Sequence, residues 1–250
     1  MPELFLNWYG HCLKNRTVTA EVAGASCTRS IPRGTAQGGV LSPVIWNIVI
    51  EPLLLKMNEF ADATGFADDT SALNAGPDPD VSRDMVQRAV NLATAWGIEN
   101  GLTFNPSKTV VIHFKRKDFK TPRPIKMGGK EIPFSQEVKY LGVKITQNLD
   151  WTPHIVEKAD KARKLIFASQ NYVGKTYGIR PGLMKWIWTS IVTPIMLYAC
   201  HVWAKRVTMR QKLILNQINR LALLGIAPVH RGAPTAGLEV IYDIPPCTSR

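Results

Sequence analysis

The sequence predicts an α+β fold, with an antiparallel sheet and packed helices over residues 1–151 and a helical region over 152–250. Three observations predict it. Two short uncharged runs, 63–67 and 70–75, flank the adjacent acids Asp68 and Asp69, a strand–turn–strand pattern. Apolar spacing of helical period lies on both sides of that hairpin and takes over after Thr152. The charge is lopsided as well: residues 1–107 hold 7 Lys and Arg against 11 Asp and Glu, whereas 108–250 hold 24 against 8. An acidic part suits chemistry on a cation, and a basic part suits contact with a polyanion.

In chain order, Leu4, Phe5, Trp8 and Leu13 share one helical face. Residues 16–22 and 27–31 read as two strands around the Ala23-Gly24-Ala25 turn. The glycine-rich run 33–43 then enters a helix, with Ser42 as N-cap and Pro43 in the first helical position, reaching about Asn58. Glycines at such an entry admit a substrate backbone, the helix start favours anions, and Gln37 can reach a base or sugar.

The hairpin comes next. Adjacent strand residues face opposite sides, so only one of Asp68 and Asp69 can face a given surface, and like charges on a tight turn call for a cation. Taken alone, the pair reads as a solvated turn. Asp80 or Ser82 caps a helix that ends at Gly97 or Gly101. Lys108 lies just before a strand over 110–114, and short strands follow at 125–127 and 130–132.

Residues 138–143 form a further strand, and Thr152 caps a long basic helix to about Tyr172. Its apolar side holds Ile155, Ala159, Ala162, Leu165 and Ile166, and its solvated side Lys158, Lys161, Arg163 and Lys164. Helices over 181–202 and 209–224 and a short one within 233–247 complete the chain.

Composition bounds the function. With 45% hydrophobic residues the chain can bury a sizeable core and is not disordered. Cys12, Cys27, Cys200 and Cys247 form no Cys-x-x-Cys pair and read as reduced thiols of an intracellular protein, nuclear or cytoplasmic. The Lys115-Arg116-Lys117 run is a candidate import signal. Residues 186–204 carry no charged side chain and could span a bilayer of ~30 Å. However, Ser190, Pro194, His201 and two threonines in that stretch mark a buried helix, and no membrane partner is expected.

Four stretches occur in one fixed order: RGTAQGGVLSPVIWN at 33–47, Phe66-Ala67-Asp68-Asp69, residues 105–109, and Tyr140-Leu141-Gly142. Together they resemble the reverse transcriptases of non-LTR retrotransposons, Jockey-like elements in particular. Leu149-Asp150-Trp151 with His154-Ile155, and Leu197-Tyr198 with Trp203, look like that family's thumb region. The resemblance implies a partial polymerase palm over 1–151 and a thumb or connection region over 152–250.

It also implies RNA-directed DNA synthesis with Mg2+ or Mn2+ held by Asp68 and Asp69, and Lys108 near the incoming triphosphate. Gln37 and Gly38 would contact template and nucleotide, and Tyr140, Leu141 and Gly142 the primer. Lys161 and Lys164 would meet the phosphates of an RNA template and DNA primer. Deoxynucleoside triphosphates would be the substrates. Two departures stand against a complete site. Ala36 replaces the family's usual proline. The only acids before Gln37 are Glu3 and Glu21, neither in a matching motif, so the family's first catalytic aspartate is expected to have no counterpart. The expectation is a truncated domain that polymerises poorly or not at all by itself, with the missing palm and fingers on another chain. The alternative is a non-catalytic nucleic-acid-binding remnant that uses the basic second half.

Overall fold

A computed structural model describes residues 2–31, 33–35, 38–114, 121–171, 180–226 and 229–246, the side chains of Gln170 and Asn171 excepted. The mixture of helices and short strands fits the expected α+β class. Two compact units form, one from residues 1–109 with 120–132, the other from 110–119 with 133–250.

In the first unit, helix α1 (Glu3–Leu13) buries no residue. It leads into an antiparallel pair, β1 (Thr17–Val22) and β2 (Ala25–Ser30), joined by Ala23-Gly24. Helix α2 (Ser42–Met57) begins one residue earlier than expected: Leu41 is its N-cap and Ser42 is already helical. The reason is a turn closed upstream, where Ser42 N–H donates to Gly39 O at 3.1 Å. Strands β3 (Asp62–Phe66) and β4 (Asp69–Leu73) form the expected hairpin. Helix α3 (Pro79–Asn100) is capped by Asp78, not by Asp80 or Ser82, because Pro79 takes the first helical position. Asp78 Oδ1 accepts from Asp80 N–H at 2.8 Å and Val81 N–H at 3.4 Å. At the far end Gly101, φ 67°, supplies the left-handed cap.

The core of this unit joins Ile50, Leu53 and Met57 of α2 to Ala61, Ala63, Ala89 and Ala93. Ala89 and Ala93 are the share of α3 in that core. Strands β6 (Ile125–Met127) and β7 (Lys130–Ile132) pair as expected. Gln87 of α3 acts as their third partner: its Oε1 accepts from Lys126 N–H at 2.7 Å and its Nε2 donates to Lys126 O at 2.6 Å.

In the second unit the strand expected over 110–114 shrinks to β5 (Val111–Ile112), parallel to β8 (Phe134–Ser135). The strand expected over 138–143 is instead a hairpin, β9 (Glu137–Tyr140) and β10 (Val143–Thr146). Leu141 (φ 46°) and Gly142 (φ 77°) form its two-residue loop. Two successive positive φ values are the type I′ requirement, which a glycine satisfies at one position.

Helix α4 (Thr152–Asn171) buries Ile155, Ala159, Ala162 and Ile166, the expected stripe, against Leu215, Ile218, Ala222 and Leu223 of α8 (Met209–Ile226). Lys158 departs from expectation: it is half-buried, with Nζ 4.5 Å from the centre of the Tyr198 ring, and burial lowers its pKa. Lys161 and Lys164 are exposed. Residues 181–202 are not one helix. Helix α5 (Pro181–Ile187) passes through a π turn (Trp188–Val192) into α6 (Thr193–Met196). Thr193 N–H reaches back to Trp188 O, a wider loop that absorbs Pro194, which has no N–H to give. Ala199, φ 55°, then breaks the path before α7 (Cys200–Trp203). Helix α9 (Thr235–Tyr242) closes the unit.

Among the described residues no single helix is long and apolar enough to cross a membrane. The bent pair Pro181–Met196 and Cys200–Arg206, at 49°, meets that test only jointly. Its Met184, Trp188, Val192, Met196 and Trp203 are buried in the second unit's core.

Candidate functional site

The site is built on the β3–β4 hairpin. Phe66 pairs with Asp69, leaving Ala67 and Asp68 as a two-residue loop. Ala67 has φ 51° while Asp68 does not enter the positive region, the pattern of a type II′ turn. Asp68 stands on the tip and Asp69 opens β4; both are exposed. The hairpin lies close against α2: a Cβ on Gly65 would come 3.2 Å from Leu54 Cδ1. Trp46, in the second turn of α2, donates its indole N–H to the Ala67 carbonyl.

Helix α2 also carries the glycine-rich loop at its start. Gly38 sits there with φ 80°, a conformation open to glycine and strained for other residues. Arg16 fixes the beginning of that loop, donating through Nη2 to Arg33 O at 3.2 Å and Gly34 O at 2.5 Å. Its Nε donates to Leu13 O at 3.2 Å. The Arg33 guanidinium crosses Gly101 so closely that a Cβ there would lie 2.1 Å from Nη1. Within one unit, named contacts thus tie the loop start to Arg16 and to Gly101, and α2 to the aspartate turn. Gln37 and Ala36 lie outside the described residues, as do Lys115-Arg116-Lys117 and Cys247. Lys108 belongs to the same unit on an exposed turn, its N–H donating to Asn105 O at 3.1 Å.

Two carboxylates are a partial fit to a divalent-ion site. Among the described residues no group of three or more His, Cys, Asp or Glu could hold a metal. Hard cations take six or more oxygen ligands, and one aspartate pair falls well short of fixing two such ions. The described residues therefore do not make up a full two-ion centre.

The other expected contacts fall in the second unit. Tyr140 ends β9, and Leu141-Gly142 are its turn rather than a strand. That turn is held from outside: Tyr198 Oη donates to Leu141 O at 2.8 Å, and a Cβ on Gly142 would lie 3.3 Å from Tyr198 Cε1. The break at Ala199 frees the Tyr198 carbonyl, which accepts from Trp203 Nε1 at 3.0 Å. His154, 1% exposed, meets the same carbonyl through Nε2 at 3.4 Å, while its Nδ1 accepts from Lys144 N–H at 3.3 Å. Nδ1 can accept only when unprotonated, so the hydrogen bonds assign the proton to Nε2. Burial lowers the His154 pKa and, with nearby Lys158 and Lys139, outweighs the Tyr198 carbonyl and Glu157. Glu157 accepts from Lys139 Nζ at 3.0 Å, which lowers its own pKa.

Arg16, Trp46, His154 and Tyr198 were not picked out as positioning residues by sequence. Trp46 and His154 did carry a signal, since polar ring atoms on an apolar helix face need partners.

The reverse transcriptase (RNA-dependent DNA polymerase) family model matches residues 2–145. The 115 kDa protein of the type-1 retrotransposable element R1DM of Drosophila melanogaster is 26% identical over 91% of this chain and 22% of its own length. The Pol polyprotein of the element R1 of Bradysia coprophila is 24% identical over 86% of this chain and 22% of its own length. The RNA-directed DNA polymerase of the mobile element jockey of Drosophila melanogaster is 22% identical over 76% of this chain and 22% of its own length. The chain thus spans about a fifth of these relatives. No solved structure matches it.

Proposed function

Because the chain belongs to the reverse transcriptase (RNA-dependent DNA polymerase) family, in its non-LTR retrotransposon branch, we propose that it takes part in RNA-templated DNA synthesis through Asp68 and Asp69. The observation that carries the reading is the exposed aspartate pair on a tight turn, gripped by the helix that leads out of the glycine-rich loop. In this reading residues 1–151 are part of a polymerase palm and 152–250 a thumb. Asp68 and Asp69 offer oxygens to Mg2+ or Mn2+, which when bound would offset charge on the transferring phosphate. Gln37 and Gly38 face template and nucleotide, and Lys108 meets the triphosphate of a deoxynucleoside triphosphate. Tyr140, Leu141 and Gly142 meet the primer, and Lys161 and Lys164 meet duplex phosphates without reading sequence.

Among the described residues no third carboxylate joins the pair, which favours a second, narrower outcome, in which this chain binds primer–template but polymerises poorly unaided. Primer extension on an RNA template with Mg2+, comparing the chain with Asp68→Ala, tests both. Extension abolished by Asp68→Ala establishes the polymerase role. Binding without extension supports the narrower outcome. Failure to bind primer–template at moderate salt refutes the proposal.

A further inference from the structure

We infer that Trp46 is a positioning residue that selects the conformation of the Ala67-Asp68 turn and so aims the aspartate pair. Three observations carry this. The turn contains a left-handed alanine, φ 51°, a conformation that costs an L-residue energy and persists only where surroundings impose it. Among the described residues, the side-chain donor to that alanine's carbonyl is the Trp46 indole, reaching from a different element. The carbonyl belongs to the peptide joining Ala67 to Asp68, and rotation of that peptide is what separates a type II′ from a type I′ loop.

The rotation matters because it would carry Asp68 to positive φ and turn its side chain toward a different side of the hairpin. Holding one carbonyl therefore fixes the direction of a carboxylate that stands exposed on the turn. The indole is itself well placed to hold. Trp46 packs beside the Ile50, Leu53 and Met57 core, so its ring is anchored while its N–H points outward to the turn. Gly65 completes the arrangement, since a Cβ there would come 3.2 Å from Leu54 Cδ1, tighter than ordinary contact.

The consequence for metal binding rests on the reading of Asp68 and Asp69 given above; the consequence for the turn does not. The experiment therefore has two readouts on the full chain. Hydrogen–deuterium exchange of the 66–70 amides compares wild type with Trp46→Phe, which keeps an aromatic ring and loses the N–H. Manganese titration followed by electron paramagnetic resonance compares wild type, Trp46→Phe and Asp68→Asn. The expected result is turn exchange faster by about fivefold, the worth of one net hydrogen bond, with α3 amides unchanged. Manganese affinity should fall by a similar factor in Trp46→Phe and be lost in Asp68→Asn.

Unchanged turn exchange in Trp46→Phe overturns the inference, as does faster exchange spread evenly over the first unit, which would mark Trp46 as ordinary packing. Equal manganese binding by wild type and Asp68→Asn would instead sink the metal reading, and turn exchange would still decide the role of Trp46. Should Trp46→Phe fold poorly, the benzothiophene isostere of tryptophan at position 46 preserves shape and removes only the donor.

Discussion

His154 gives the fold a pH dependence whose sign and range follow from its two ring contacts. Both nitrogens are engaged with backbone groups and the ring is 1% exposed, so the folded state holds it neutral. Protonation would place a second N–H at Nδ1 against the Lys144 N–H, with Lys158 and Lys139 adding repulsion. The folded pKa is therefore below the unfolded value of 6.5, and the unfolded chain takes up the proton first as pH falls. Stability is fully present above that value and is lost as pH drops through it toward the folded pKa. The slope approaches ~1.4 kcal/mol per pH unit for one proton.

Urea unfolding followed by tryptophan fluorescence between pH 7.5 and 5 measures it, over a range in which the depressed Glu157 and Asp84 carboxyls stay ionised. His154→Gln cannot titrate and should flatten the slope, while lowering stability at pH 7.5 by about 1–3 kcal/mol through lost buried hydrogen bonds. Parallel curves for wild type and variant would refute the argument.

Two further outcomes are expected. Gln211, 1% exposed, donates to Asp150 Oδ1 at 3.1 Å and Thr152 Oγ1 at 2.9 Å and accepts from Thr208 N–H at 2.8 Å. Gln211→Ala should cost about 1–3 kcal/mol in urea unfolding, and a loss below the error of that measurement would contradict the network. Gly142→Ala should lower the melting temperature, because it combines φ 77° with the Tyr198 ring at 3.3 Å. The cost is roughly 1–2 kcal/mol, and a variant as stable as wild type would show that the turn is not held as described.

How far the sequence spoke can be judged residue by residue. Period and turn chemistry located the aspartate hairpin, the strands at 125–127 and 130–132, and the buried stripe of α4, because each is a local pattern. Leu141-Gly142 was misread as strand since Leu is an unexpected partner for glycine in a type I′ loop, and what tolerates it is Tyr198, distant in sequence. The break at Ala199 was illegible for the same reason: its αL backbone is imposed by the contacts of the Tyr198 carbonyl. Motif order singled out Asp68 and Asp69 as candidates. It could not expose Trp46 as their support, because a hydrogen bond 21 residues away in sequence leaves no periodic trace.

The interleaving of the two units bears on how the chain is made. Strand β5 belongs to the second unit, yet in sequence it falls between α3 and the β6–β7 hairpin of the first. Its partner β8 begins at Phe134, so β5 leaves the ribosome with nothing to pair with for about 20 residues, or roughly 1–4 s at ~5–20 residues per second. Strands β6 and β7, which Gln87 ties to α3, emerge within that interval. A pause that let Val111 and Ile112 join the wrong sheet would leave β8 without its partner. Synonymous codon changes between residues 112 and 134 should therefore alter the yield of soluble protein more than equal changes within 181–226.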